Sequence, residues 1–208
     1  YVLVFNGEIY NQHQLRSELE ARGQRFCSSS DTEVLLRLLA LDGTAALGRL
    51  QGMYAFCLWD RRRQRALLAR DPYGIKPLYI VQPQPQELLF ASEVRTLLAS
   101  GRVVRRLNAQ ALTAFLQQGS LESASTLVEG IVALPPGHLG IWENGDWQVM
   151  PFWQPSYGPE PSVSYPELVA RTREALQQSV RAHLLADVPV GLFLSGGLDS
   201  SAVLALAG

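Results

Sequence analysis

Toward its C-terminal end the chain reads Val188-Pro189-Val190-Gly191-Leu192-Phe193-Leu194, then Ser195-Gly196-Gly197-Leu198-Asp199-Ser200, then Ser201-Ala202-Val203-Leu204-Ala205-Leu206-Ala207. An apolar run, a glycine pair and a helix-compatible run in that order predict a buried strand, a tight turn and the start of a helix. Adjacent glycines let the backbone bend sharply and turn its N–H groups into one concavity. A helix N-terminus at the same point adds partial positive charge, which suits a phosphate-type anion. Ser195, Ser200 and Ser201 bring three hydroxyls for phosphate oxygens, and Asp199 brings a carboxylate for Mg²⁺. The loop is not of the Walker type, because the Gly-Lys-Ser/Thr ending is missing. A glycine-rich turn with no ligand is the plain alternative, and the complete strand–loop–helix context weighs against it.

A second polar cluster lies at the other end. Asn6-Gly7-Glu8-Ile9-Tyr10-Asn11 is expected directly after a first strand, Tyr1-Val2-Leu3-Val4-Phe5. The Asn6 amide and the Gly7 backbone N–H are two donors that can converge on one point, the requirement of an oxyanion hole in acyl transfer. Glu8 stands at the same strand end, and Asp31 is expected to cap a helix nearby in sequence. Two carboxylates there can bind a cationic α-amino group. Asn-Gly alone is more often just a turn, so these residues need further support.

Between the two clusters the periodicity alternates. Strands are expected at Val2–Phe5, Met53–Trp59, Arg65–Arg70, Pro77–Val81, Leu88–Ala91 and Gly137–Trp142. Helical spacing occurs over Asn11–Arg22, Asp31–Leu41, Ser92–Leu98 and Asn108–Gln118. Antiparallel-type strands interleaved with helices predict a layered α+β domain over residues 1–153. Gln154–Ser164, with Pro155, Gly158, Pro159 and Pro161, breaks both periods and reads as a linker. Residues 165–208 then open a second domain of α/β, Rossmann-like type with a helix over Tyr165–Leu185.

Composition excludes several classes. The 208 residues are 47% hydrophobic and 18% charged, with a formal net charge of −1. That gives no electrostatic case for nucleic acid. Arg61-Arg62-Arg63-Gln64-Arg65 reads as a basic hairpin turn. No stretch has the length of a membrane span. Cys27 and Cys57 make no disulfide framework, and His13, His138 and His183 are scattered singles without metal-ligand spacing.

Several segments occur in a telling order: Asn6–Asn11, Ser30-Asp31-Thr32-Glu33, Leu50-Gln51-Gly52-Met53-Tyr54-Ala55-Phe56, Arg70-Asp71-Pro72-Tyr73-Gly74-Ile75-Lys76-Pro77-Leu78-Tyr79 and Phe90-Ala91-Ser92-Glu93, with Leu134-Pro135-Pro136-Gly137-His138 as a looser match. Together they resemble the glutaminase domain of glutamine-hydrolysing asparagine synthetases. Ser195–Ser200 resembles the pyrophosphate loop of ATP pyrophosphatases, which follows in that family. Phosphoribosyl-type amidotransferases share the first module without the second.

The resemblance implies an N-terminal-nucleophile glutaminase domain of α/β/β/α layering, followed by the beginning of an ATP-pyrophosphatase domain. It implies Asn6 and Gly7 as the oxyanion hole, and Asn6, Glu8 and Asp31 as glutamine-binding groups. Phe193, through its backbone, and Ser195, Gly196, Gly197, Leu198, Asp199 and Ser200 would bind ATP, with Mg²⁺ at Asp199. The Arg70–Tyr79 segment is read as structural. Aspartate is the implied acceptor, asparagine the product, and AMP and pyrophosphate the by-products. A homodimer and a cytoplasmic location are compatible with the family. The chain is expected to be a fragment at both ends, with the nucleophilic cysteine and a carboxylate-binding arginine upstream of Tyr1. It is therefore expected to lack glutaminase activity by itself. Two alternatives stay open: a specialised amidotransferase or β-lactam-synthetase-like enzyme acting on another carboxylate, and a non-catalytic amidotransferase-like module.

Overall fold

The computed structural model describes residues 1–121, 124–158, 162–186 and 188–207. It divides into two compact units, Tyr1–Pro155 and Ser156–Gly208.

The first unit is built on two antiparallel sheets. The larger contains β1 (Val2–Ile9), β2 (Gly52–Asp60), β3 (Arg65–Arg70), β7 (His138–Glu143) and β8 (Asp146–Pro151), in the order β1-β2-β3-β7-β8. The smaller contains β4 (Tyr79–Gln84), β5 (Glu87–Ala91) and β6 (Val132–Ala133), in the order β5-β4-β6. Side chains alternate between the faces of a strand, and this alternation sorts the core into layers. Tyr54, Phe56 and Leu58 of β2, with Leu67 and Ala69 of β3, join one cluster with Leu15, Leu19, Val34, Leu35 and Leu38. Those five come from α1 (Gln12–Ala21) and α2 (Asp31–Asp42). Ala55, Cys57, Ala66 and Leu68, one residue out of phase, meet Leu78, Ile80, Leu88 and Phe90 between the sheets. On the far face of the smaller sheet, Val81 and Leu89 pack with Leu97 of α3 (Val94–Ala99). The succession is helix, sheet, sheet, helix. β2 and β3 read as near-continuous apolar runs because both their faces are covered. A further helix, α4 (Ala109–Gln118), is capped by Asn108, whose side chain accepts from the Ala111 N–H at 3.1 Å.

The second unit contains α5 (Tyr165–His183) and α6 (Leu198–Ala207). Ser164 caps α5 by accepting from the Glu167 N–H. None of the described helices is long and apolar enough to cross a membrane.

Several expectations need correction. The first strand continues to Ile9, so Asn6, Gly7 and Glu8 lie within it rather than after it: β2 pairs with them residue by residue, Asn6 opposite Ala55, Gly7 opposite Tyr54 and Glu8 opposite Met53. Ser30, not Asp31, caps α2. Its hydroxyl accepts from the Thr32 N–H at 3.1 Å, and Asp31 is the first helical residue. The fourth strand begins at Tyr79 and not at Pro77, since proline has no N–H to give a ladder. Val188–Leu194 forms no strand. A strand exists by pairing, and among the described residues between Ser156 and Ala207 there is no other strand to pair with it. Of the linker expected over Gln154–Ser164, Pro159, Glu160 and Pro161 lie outside the described residues.

Candidate functional site

The first candidate site is the C-terminal half of β1, where the strand is clamped at its end. Tyr10 donates its N–H to the Gln51 carbonyl at 2.8 Å. The Asn11 amide holds the opposite chain twice: its Nδ2 donates to the Arg49 carbonyl at 2.9 Å, and its Oδ1 accepts from the Gln51 N–H at 3.1 Å. Gly7 and Gly52 let the two backbones close up. A Cβ on Gly7 would overlap the Met53 carbonyl oxygen and come within 2.7 Å of the Tyr54 Cα. One on Gly52 would overlap the Glu8 carbonyl oxygen and reach 3.1 Å from the Ile9 Cα.

β1 is an edge strand, so alternate backbone N–H groups face away from β2. The Tyr10 N–H points toward β2. The Ile9 N–H points the other way and donates to Asp31 Oδ2 at 3.1 Å. By the period of two, the Gly7 N–H faces the same open edge as that of Ile9. The Asp31 carboxylate thus stands beside the strand end that carries Glu8, held there by the first turn of α2.

Asn6 is set by the same alternation. With Val4 it lines a cavity of about 370 Å³ between the sheets, whose wall also includes Ala55, Cys57, Leu78, Phe90, Ser92 and Glu93. Its Nδ2 donates to the Ser92 Oγ at 3.1 Å. A primary amide has two N–H groups, so this bond leaves one to aim elsewhere. Burial pushes the Cys57 thiol up to about 12, which keeps it protonated and unreactive. Cys27 is exposed.

Two adjacent residues hold the neighbouring turn. The fully buried Asp71 carboxylate accepts from the N–H groups of Tyr73, Ile75 and Lys76, each at 3.0 Å, and from that of Tyr54 at 3.3 Å. The Arg70 guanidinium donates to the carbonyls of Lys76, Leu134 and Gly74, each at 2.8 Å. Asp71 also reaches the site electrostatically. Burial raises the Tyr10 phenol above its ordinary value, and the charges of Glu8 and Asp71 raise it further.

The second candidate site lies in the other unit. Ser195–Ser200 turns into α6, with Gly196 at φ +78°, a left-handed conformation that favours glycine. Ser195 Oγ lies 3.0 Å from Ser200 Oγ, and the hydroxyls of Ser200 and Ser201 donate to the Gly197 carbonyl at 3.1 and 2.8 Å. Leu198 and Asp199 begin the helix, so their N–H groups are among those without intrahelical partners. Phe193 is fully exposed. Among the described residues no group of three His, Cys, Asp or Glu side chains could hold a metal ion. A single carboxylate such as Asp199 nevertheless fits Mg²⁺ wherever phosphate oxygens and water complete the coordination.

Residues 1–153 match the family described as glutamine amidotransferase domain, and residues 171–208 match the one described as asparagine synthase. The chain belongs to the glutamine amidotransferase family. Its relatives include asparagine synthetase [glutamine-hydrolyzing] 1 of Bacillus subtilis (strain 168), 38% identical over 208 residues, covering 100% of this chain and 32% of the relative. Amidase chry2 of Gibberella zeae is 36% identical over 208 residues, covering 96% of this chain and 30% of the relative. The chain spans about a third of the length of such curated relatives. A solved structure described as the allosteric regulatory enzyme of purine biosynthesis aligns with a TM-score of 0.50 and 22% identity, covering 99% of this chain and 42% of that one. That likeness concerns the fold alone. The N-terminal-nucleophile α/β/β/α arrangement belongs to the glutamine amidotransferase domain of residues 1–153, and the start of a synthetase domain rests on the asparagine synthase match over 171–208.

The sequence did not single out Ser92 as a site residue. It stands 86 positions from Asn6, and only the stacking of the two sheets brings them together.

Proposed function

We propose that the chain carries the glutamine site, and the opening of the ATP site, of a glutamine-dependent asparagine synthetase. The supporting observation is the succession, in one polypeptide, of a glutamine amidotransferase match over 1–153 and an asparagine synthase match over 171–208. In the first site Asn6 Nδ2 and the Gly7 N–H stabilise the oxyanion that forms when a thiolate attacks the glutamine side-chain amide. Glu8 and Asp31 receive the α-ammonium. The C–N bond breaks, ammonia leaves, and water hydrolyses the thioester to glutamate. The nucleophile this chemistry needs is an N-terminal cysteine whose own amino group is the base. Neither Cys27 nor Cys57 has a free α-amino group, so a polypeptide of these 208 residues alone should release no ammonia from glutamine.

In the second site the N–H groups and hydroxyls of Ser195, Gly196, Gly197, Leu198 and Ser200 hold the β- and γ-phosphates of ATP at the start of α6. The Phe193 backbone contacts the nucleotide. Asp199 would hold Mg²⁺, which supplies neutralisation of phosphate charge. The aspartate side-chain carboxylate attacks the α-phosphorus and pyrophosphate leaves. Ammonia then attacks the activated acyl carbon and AMP leaves, giving asparagine. A second reading, amidation of another carboxylate, is favoured by the relatives named amidases.

The test is AMP and pyrophosphate formation by the intact protein with ATP, Mg²⁺ and glutamine, across a panel of carboxylates including aspartate. One asparagine per AMP, dependent on aspartate, supports the first reading. AMP with another carboxylate only selects the second. No AMP with any acceptor removes both and leaves an amidotransferase-like module.

A further inference from the structure

The two oxyanion donors differ in how they are held. The Gly7 N–H belongs to a strand paired from Val2 to Ile9 and has no freedom to turn. The Asn6 amide rotates about its own side-chain torsions, and its two ends are close to isosteric. Turned by half a revolution, it would aim a carbonyl oxygen at a developing negative charge. A hydrogen bond from Nδ2 to an acceptor oxygen at a fixed place holds the amide where its second N–H faces that charge.

Ser92 is such an acceptor. Its Oγ lies 3.1 Å from Asn6 Nδ2. It directly follows β5, whose end is pinned by the pairing of Ala91 with Tyr79, and directly precedes Glu93, the cap position of α3. The hydroxyl is therefore carried by a junction fixed on both sides. It follows the second sheet, whereas Asn6 belongs to the first. Val4, Ala55 and Phe90 beside them in the cavity wall offer apolar side chains, and Glu93 and Thr96 also line it.

We propose that Ser92 is a positioning residue for glutamine hydrolysis: its hydroxyl accepts one Nδ2 hydrogen of Asn6 and so directs the other toward the oxyanion. The proposal rests on the glutamine reading of the preceding section. Ser92 touches no reacting atom in this role and acts through Asn6.

The test is glutamine hydrolysis by the intact protein in a cycle of Ser92→Ala, Asn6→Ala and the double variant, with Ser92→Thr beside them. An interaction made only in the transition state shows in kcat and spares KM. Ser92→Ala should lower kcat roughly tenfold, with the glutamine KM changed by less than about twofold. In the Asn6→Ala background the same change should do nothing more, because its one route of action is gone. Ser92→Thr keeps the hydroxyl and should recover most of the rate. Equal losses from Ser92→Ala in both backgrounds, or no loss in either, would overturn the proposal. So would a Ser92→Thr variant that melts like the wild type and is as slow as Ser92→Ala. A wild-type protein with no glutaminase activity would overturn the glutamine reading itself, an outcome distinct from the others.

Discussion

At the scale of single residues, the strongest constraints lie around the end of β1 and are backbone constraints. Gly7→Ala places a methyl group against the Met53 carbonyl and the Tyr54 Cα, atoms that move only if the ladder moves. We expect a loss of about 1–3 kcal/mol in urea unfolding, with activity lost at least in proportion; a variant as stable as the wild type would mean that β1 can shift off β2 freely. Glu33 makes a different prediction. Its carboxylate accepts from Arg37 at 2.8 Å, from the Cys27 N–H at 3.0 Å, and from the Ser28 N–H and hydroxyl, each at 2.8 Å. It thereby ties the loop before Asp31 to the helix that carries Asp31. The Arg37 guanidinium first, then the Cys27 N–H and the Ser28 hydroxyl, hold its pKa down at about 2, against 4.5 ordinarily. A carboxyl whose folded pKa is depressed adds stability above its unfolded value and loses it as pH falls through the folded one. Glu33→Gln should therefore melt below the wild type at neutral pH, and the gap should close as pH drops from 4.5 toward about 2. A gap that persists unchanged down to about pH 2 would show that the carboxylate charge is irrelevant there.

At the scale of elements, what was legible in the sequence was what local pattern determines. The Leu15 and Leu19 spacing of α1 and the apolar runs of β2 and β3 survive in the structure because each pattern buries the face it implies. β8 was not legible: Asp146-Trp147-Gln148-Val149-Met150-Pro151 is an edge strand with mostly exposed side chains, and it exists by pairing with β7. Nor was the 3₁₀ helix at Gly43–Arg49, which carries no long apolar period. The Asn6-Gly7-Glu8 cluster could be read because its groups are adjacent in sequence. Ser92 could not be read as part of that neighbourhood, because its contact crosses from one element to another. The turn from Asp71 to Lys76 shows what such contacts stabilise. One guanidinium serves three carbonyls from two segments of chain. Arg70→Ala leaves them to whatever water can reach, and we expect a loss of about 2–4 kcal/mol. Arg70→Lys should not rescue it, since an ammonium is a point donor and cannot span a fork. Full recovery by lysine in urea unfolding would mean that charge alone, and not the fork, holds the turn.

At the scale of the whole molecule, the two units differ in what they bury. Tyr1–Pro155 contains every residue of the three apolar clusters. In Ser156–Gly208 the helices α5 and α6 have no buried residue, and Leu168, Leu176, Leu198 and Leu204 are exposed. Helical stability in proteins comes mainly from packing an apolar face, and short helices without it are marginal in water. A protease should therefore open the second unit through local unfolding far more often than the first, whose strands are covered on both faces. Limited trypsin digestion of a polypeptide of these 208 residues should cut first within α5, at Arg171, Arg173 or Arg181, all on an exposed helix. The surviving N-terminal product should include all of Tyr1–Pro155 and keep a cooperative thermal transition within about 2 °C of the parent's, because every residue of the three apolar clusters lies in it. A product that melts well below the parent would mean that the second unit stabilises the first. Early cleavage at the Arg61–Arg65 turn instead, with α5 intact, would mean that α5 and α6 pack more firmly than their exposed leucines imply.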